Sequence, residues 1–319
     1  MIKFAPPISN STQHSFRLVH ISDPHLSNLD NVTWRQLVNK RILGYLSWRF
    51  NRRKVHRMDI LSTLISDLDE IKANHLVISG DLTHIGTADE CQQVNQWLTS
   101  LGTSDDITVI PGNHDCYTDD DASETTNRWS EYMTSDDESN ADNNDANFPS
   151  LRQRGPLAII GLTTALPTAP FFATGRLGLT QIEKLAELLE KTARQGFFRV
   201  VLLHHGPLMG SNKYRKRLID AEQFRAVIKS HGAELILHGH GHHTVNGVLE
   251  TDKSEIPVIG AASASLLSKS LVKRAGYNIF DVTNTGNSWN IAMQSRGYDA
   301  KEAIFKLKKE VAFTLPITS

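Results

Sequence analysis

Short apolar runs rich in β-branched residues recur along the chain. Between them lie segments whose apolar positions repeat every three or four residues. The runs Phe16–Ile21, His75–Ser79, Ile107–Ile110, Pro156–Leu162, Phe198–Leu203 and Glu234–Leu237 have strand length and strand composition. Ile256–Ile259, Tyr277–Val282 and Ser288–Met293 read the same way. Met58–Lys72 sets Ile60, Leu61, Leu64, Leu68 and Ile71 on one helical stripe, and Glu90–Leu101 carries a weaker one. In Thr180–Gln195 the apolar face is Ile182, Leu185, Ala186, Leu188 and Leu189, and Thr180 with Glu183 predicts a capping box. Asp220 with Gln223 opens a further helix that Gly232 stops. Strands alternating with helices predict an α/β fold. The last third holds more strands than helices, which predicts a second sheet packed on the first.

The chain's 319 residues suffice for one large core, and no segment approaches the length of apolar sequence that a membrane-spanning helix needs. Two cysteines, Cys91 and Cys116, make a disulfide framework improbable and point to a reducing compartment; with no leader-like N-terminus, a cytoplasmic protein is expected. A formal net charge of −1 argues against nucleic acid as a partner. Charge is unevenly placed, however. Trp34–Met58 carries eight Lys/Arg, no Asp or Glu, and several aromatic and aliphatic residues. Asp119–Asp145 carries ten acids and one base, so residues 119–147 read as a solvated acidic loop. Neither segment divides the chain, so residues 1–319 are expected to form a single domain.

The candidate chemistry sits just past the ends of the predicted strands. Asp23-Pro24-His25 follows the first, Gly80-Asp81 the second and Gly112-Asn113-His114-Asp115 the third. His204-His205 and Gly239-His240-Gly241-His242 follow two later strands. In open α/β sheets ligands bind at that edge, so five loops distant in sequence can converge there. Carboxylate, amide and imidazole donors without thiolate suit divalent Mn, Fe, Zn, Co or Ni. The glycines at 80, 112 and 239 are expected to let the backbone turn out of the strand.

This ordered set of five motifs, spanning Asp23 to His242, resembles the calcineurin-like metallophosphoesterase family. The resemblance implies a four-layer α/β/β/α sandwich of two packed mixed sheets. It implies a dinuclear centre, manganese first among the candidates, with Asp23, His25 and His242 on one ion. Asn113, His204 and His240 would hold the other, and Asp81 would bridge both. The sequence His204-His205-Gly206-Pro207 departs from the family's His-His-Pro. Either histidine could therefore be the ligand, and His204, which continues the strand, is taken. The resemblance leaves His114 off the metals and facing the substrate, to stabilise charge or protonate the leaving group. Asp115 could orient His114, brace the loops or lie on the surface. Metal-activated hydroxide would attack in line, cleaving a phosphodiester or pyrophosphate.

Other histidines have a plainer reading. His14, His20, His56, His75, His84 and His231 lie outside the motifs and are expected to be satisfied polar residues, with His205, His238 and His243 bracing the ligands. Cys116 reads as a buried small side chain rather than a nucleophile. The insert at residues 34–58 lies between the first two motifs and should hang over the site. Its cations and aromatics suit an amphiphilic phosphate substrate or an anionic membrane surface at the inner membrane face; a charged helix packed by one face is an equal reading. The insert also resembles that of bacterial UDP-2,3-diacylglucosamine pyrophosphatases of the chlamydial type, which implies a nucleotide-lipid substrate. Lys213, Arg215, Lys216 and Arg217 could add phosphate contacts or form an ordinary solvated loop. The rival readings are a 3',5'-cyclic-nucleotide phosphodiesterase and, from another class, a non-catalytic metal-binding scaffold.

Overall fold

Each of the nine apolar runs becomes a strand in the computed structural model of the chain, which describes residues 1–5, 15–26, 28–118, 128–136, 148–210, 212–252 and 254–317. They are β1 (Phe16–Ile21), β2 (His75–Ile78), β3 (Ile107–Val109), β5 (Leu157–Gly161), β6 (Phe198–Leu202), β7 (Leu235–His238), β9 (Glu255–Gly260), β10 (Gly276–Asn284) and β11 (Ser288–Asp299). Three further strands appear: β4 (Ser150–Arg154), β8 (Val245–Glu250) and β12 (Ile304–Pro316). Most of the acidic stretch at 119–147 lies outside the described residues; within it, residues 128–133 form a short helix, α5.

The strands make two six-stranded sheets, ordered β12-β11-β10-β1-β2-β3 and β4-β5-β6-β7-β9-β8. Both are mixed. Parallel β1, β2 and β3 are flanked by antiparallel β10, and parallel β5, β6, β7 and β9 are flanked by antiparallel β4 and β8. Side chains alternate across a strand. Leu157 and Ile159 of β5 therefore enter the core shared with the first sheet, while Ala158 and Ile160 pack with the helices outside. The sheets meet at Phe198 and Trp289, whose ring centroids stand 5.4 Å apart edge to face.

Helices α3 (Met58–Ile71) and α4 (Ala88–Leu101) cover the first sheet, and α6 (Leu179–Arg194) and α7 (Ala221–His231) the second. The result is the α/β/β/α sandwich. The expected capping box at Thr180 and Glu183 does not form: the N-cap position of α6 lies two residues earlier, at Gly178, with no side-chain cap. Asp220 precedes α7, but its carboxylate accepts from the backbone N–H groups of Leu177 and Gly178 instead of capping its own helix. A true capping box opens α4, between Thr87 and Glu90.

The insert folds as a broken helix. After α1 (Arg41–Ser47) come a π turn, Trp48–Arg52, and the short α2 (Arg53–Val55). It is pinned from several sides. Gly44 and Trp48 are buried, and a Cβ on Gly44 would press on Ile85 and Tyr117. Arg41 donates to the carbonyls of Ile85 and Gly86, and Leu267 N–H to the carbonyl of Val55. These contacts hold the insert over the C-terminal ends of β1, β2 and β3.

Candidate metal centre

The loops that leave β1, β2, β3, β6 and β7 meet at one point. Asp23 N–H donates to the carbonyl of Gly80 at 3.0 Å and His25 N–H to that of Asp81 at 3.2 Å, which ties the first two loops together. Among the described residues, Asp23, His25, Asp81, His240 and His242 are five of the eight non-glycine residues with positive φ. That backbone region is unfavourable for L-residues, and such strain gathers where the surroundings over-determine it. It turns each side chain out of its strand toward the same centre. The glycines act differently from expectation. Gly80 does turn, at φ +90°. Gly112 and Gly239 instead make room, because a Cβ on either would overlap the side chain of Asp81 or Ser22.

Two groups of ligand atoms from the motifs result, each drawn together within 4.8 Å. One is Asp23, His25, Asp81 and His242; the other is Asp81, His204 and His240. Asp81 belongs to both. His242 Nε2 lies 3.1 Å from Asp23 Oδ1, His25 Nε2 3.9 Å from Asp81 Oδ2, and His204 Nε2 3.4 Å from Asp81 Oδ1. Supporting bonds select the free atoms. His25 Nδ1 bonds the carbonyl of Thr83 and His204 Nδ1 that of Ser79, so each presents Nε2 to the centre. Asp23 Oδ2 accepts from Ser22 Oγ and His240 N–H, which leaves Oδ1.

A divalent ion fits this donor set. Asp23 Oδ1, His25 Nε2, Asn113 Oδ1, His204 Nε2 and His240 Nε2 are all buried without a hydrogen-bond partner. Each such group costs about 1–3 kcal/mol when left unpaired, so a cluster of five calls for a cation. The electrostatics agree. Burial raises Asp81, but the imidazoles of His204, His114 and His25 outweigh it and hold the carboxylate well below its usual range. Burial lowers His204, yet the charge of Asp81, 3.4 Å from its Nε2, brings it up to about 9, so a proton and a metal ion would compete for that nitrogen. Burial first, then the surrounding histidines, keeps His25 and His240 neutral, as ligands must be. His205 differs from His204: its Nδ1 bonds Thr164 Oγ1 and its Nε2 faces the carbonyl of Ala173, so both ring nitrogens are engaged. The geometry favours His204.

His114 and Asp115 separate in role. His114 lines a cavity beside the centre. Asp115, read as a catalytic candidate, is a brace: its carboxylate is fully buried and accepts from the N–H groups of Leu82, Thr83 and Gly112 and from Thr83 Oγ1. None of these bonds reaches the His114 ring. His114 Nδ1 bonds the carbonyl of His84 instead. Cys116 is buried, which pushes its thiol pKa up, away from nucleophilic use.

Three residues that the motifs do not mark also reach the centre. Arg52, from the π turn, places Nη1 2.9 Å from His114 Nε2. His84 stacks on His25 at 5.0 Å, and His56 stands edge-on to His25 at 4.5 Å. His56, His25 and His242 even bring three ligand atoms within 4.8 Å. His56, expected to be a satisfied polar residue, does bond Ser265 Oγ through Nδ1, and it and His84 stand beside the centre as well. The only sequence signal was the insert's position between two motifs, which singles out no residue.

The cavity holds about 600 Å³. One wall is the insert, with Lys40, Leu43, Gly44, Ser47 and Arg52; the floor is Asn113, His114 and Tyr117. The other wall is Phe171, Phe172, Ala173 and Lys213–Lys216. Lys40 Nζ lies over the Tyr117 ring, and the Arg215 guanidinium lies over Phe172.

The calcineurin-like phosphoesterase family matches the chain over residues 16–244, which covers all five motifs. The chain belongs to that family. Membership implies a phosphoester hydrolase that binds metal. Among curated proteins, a probable cyclic nucleotide phosphodiesterase of Vesicomyosocius okutanii subsp. Calyptogena okutanii (strain HA) is 23% identical over 276 residues, 85% of this chain and 96% of its own. Among solved structures, a dimetal phosphatase from Danio rerio superposes with a TM-score of 0.59 at 12% identity, covering 95% of this chain and 99% of the other. That likeness establishes the calcineurin-like phosphoesterase fold across nearly the whole chain.

Proposed function

We propose that the chain hydrolyses a phosphodiester or pyrophosphate bond in a small amphiphilic phosphate, such as a lipid-linked nucleotide of the UDP-2,3-diacylglucosamine kind. One observation carries this reading: the cavity that opens from Asn113 and His114 is walled by cations and aromatic rings together. Its 600 Å³ lies within the range of small-ligand sites. A substrate with one phosphate would leave most of these cations without a partner.

Asp23, His25 and His242 would hold one divalent ion, Asn113, His204 and His240 a second, and Asp81 both. Two such ions, manganese first among Mn, Fe, Zn, Co and Ni, would supply Lewis acidity and a water nucleophile at neutral pH. The chain's own residues do the rest. Arg52 holds a permanent positive charge beside the centre, where charge develops on a phosphoryl oxygen. His84 fixes the His114 ring through Nδ1, and His114 in turn accepts from Arg52. Lys216 lies near enough to feel the charges of Asp81 and Asp23, and Lys40 lines the insert's wall, so both would meet anionic oxygens of the substrate, while Phe171, Phe172 and Tyr214 offer apolar surface to the remainder.

The relative described as a probable cyclic nucleotide phosphodiesterase favours a second reading, hydrolysis of a 3',5'-cyclic nucleotide. A substrate panel with manganese decides between them: UDP-2,3-diacylglucosamine, cyclic AMP and bis-p-nitrophenyl phosphate. Cleavage of the acyl-sugar nucleotide in preference to cyclic AMP supports the first reading. Cleavage of cyclic AMP alone overturns it.

A further inference from the structure

The outer face of the insert carries an exposed apolar side chain at every fourth position. Trp34 and Val38 are each 72% exposed, Ile42 47%, Leu46 44% and Phe50 65%. Ile42 and Leu46 stand one turn apart on α1, and Phe50 follows in the π turn. These side chains belong to no core: the insert's inner side, Gly44 and Trp48, already takes the packing against Ile85 and Tyr117. Across the cavity mouth, Phe171 is 76% and Tyr214 68% exposed. Leu271 and Val272 are exposed on the neighbouring loop, whose Leu267 N–H bonds the insert at Val55. Apolar surface gathered this densely marks an interaction face.

Its charge indicates what the face meets. The insert has eight Lys/Arg and no acid. Arg35, Arg49 and Lys54 are exposed and have no ion-pair partner among the described residues. Lys213 and Arg215 extend the same charge across the mouth. A second copy of this chain would set cations against cations. Aromatic and aliphatic side chains interleaved with cations, without acids, suit the headgroup region of an anionic bilayer. Among the described residues no helix is long and apolar enough to cross a membrane, so the contact would be peripheral.

We propose that this face docks on an anionic lipid bilayer, with Ile42, Leu46 and Phe50 entering the headgroup region and the cavity mouth turned to the lipid. Delivery of substrate from that lipid rests on the amphiphilic substrate proposed above; the docking itself does not. The test is sedimentation of the full chain with vesicles of phosphatidylglycerol and phosphatidylethanolamine, against vesicles of phosphatidylcholine. The chain pellets with the anionic vesicles and is released by salt. The I42S/L46S/F50S variant, whose changes line neither the centre nor the cavity, pellets about tenfold less, because the face has lost its apolar anchors. It hydrolyses bis-p-nitrophenyl phosphate at the unaltered rate. Absence of pelleting overturns the proposal, as does pelleting that the variant leaves unchanged. Concentration-dependent dimerisation that the variant abolishes assigns the face to a second copy and overturns it too. Wild-type pelleting without hydrolysis of any diester or of UDP-2,3-diacylglucosamine upholds the docking and overturns the hydrolase reading instead.

Discussion

Arg52 Nη1 lies 2.9 Å from His114 Nε2, although the two residues stand 62 positions apart and only His114 belongs to a motif. His114 donates through Nδ1 to the carbonyl of His84, which leaves Nε2 as the acceptor for Arg52. Burial, and then the Arg52 charge, lower the His114 pKa to about 3. The imidazole is thus neutral near pH 7, and the positive charge beside the centre belongs to the guanidinium. Held between the His84 carbonyl and Arg52, the His114 ring is placed to orient the guanidinium.

Arg52→Ala should lower kcat/KM for bis-p-nitrophenyl phosphate by about 10²–10³-fold, the usual loss for a preorganised donor at developing charge. Metal content should stay at the wild-type level. Arg52→Lys should recover only part of the rate, because it keeps the charge and loses the planar fork. Loss of bound metal in Arg52→Ala would mean that the residue supports the ligands rather than the substrate.

Gly112→Ala probes the close approach of two loops. A Cβ at this position would overlap the Asp81 side chain and backbone N–H and press on His204. The expected cost is about 1–3 kcal/mol of stability, typical of overpacking. Asp81 must move, so metal content should fall with stability. Chemical denaturation and metal analysis check both; a variant with wild-type metal content would contradict the shared position given to Asp81.

The loops were legible in the sequence because a parallel strand buried on both faces is a continuous apolar run, and each run ended in its motif. Three of the four edge strands, β4, β8 and β12, were not. In β12, Phe305 is buried, Lys308, Lys309 and Glu310 are exposed, and the strand is recognisable chiefly by its pairing with β11. The seven side chains proposed as ligands were readable as candidates because each hangs on a strand end through local spacing. Arg52 and His56 were not, since their approach depends on how the insert turns back on Ile85, Tyr117 and Leu267. His84 was hidden differently: its contribution is a backbone carbonyl and a ring face, which no residue pattern encodes. The cap of α6 failed for a third reason, a two-residue shift that set Gly178 where Thr180 was expected.

Buried His20 makes stability depend on pH. Its Nε2 bonds Ser79 Oγ, and burial, helped by His238, lowers its pKa from 6.5 to about 3. Below pH 6.5 the unfolded chain takes up a proton that the folded chain refuses. Stability is therefore fully present above that pH and falls by about 1.4 kcal/mol per unit toward pH 3. Urea unfolding at pH 7.5 and 5.5, with chelator in both buffers, should show a drop to which several buried histidines contribute, and His20→Asn should make it smaller by about 1.4 kcal/mol, the share of one proton. Equal slopes in the two proteins would remove His20 from the account.

Asp81 stands where one carboxylate would serve both ions of a two-metal centre. Metal analysis of protein purified without chelator, on the wild type and on Asp81→Ala, addresses it most directly, with diester hydrolysis measured on the same samples. The account predicts two divalent ions per wild-type chain and, in Asp81→Ala, fewer than one ion with activity reduced about 10³-fold or more, as befits loss of metal catalysis. An Asp81→Ala chain that keeps both its metal and its activity would contradict it.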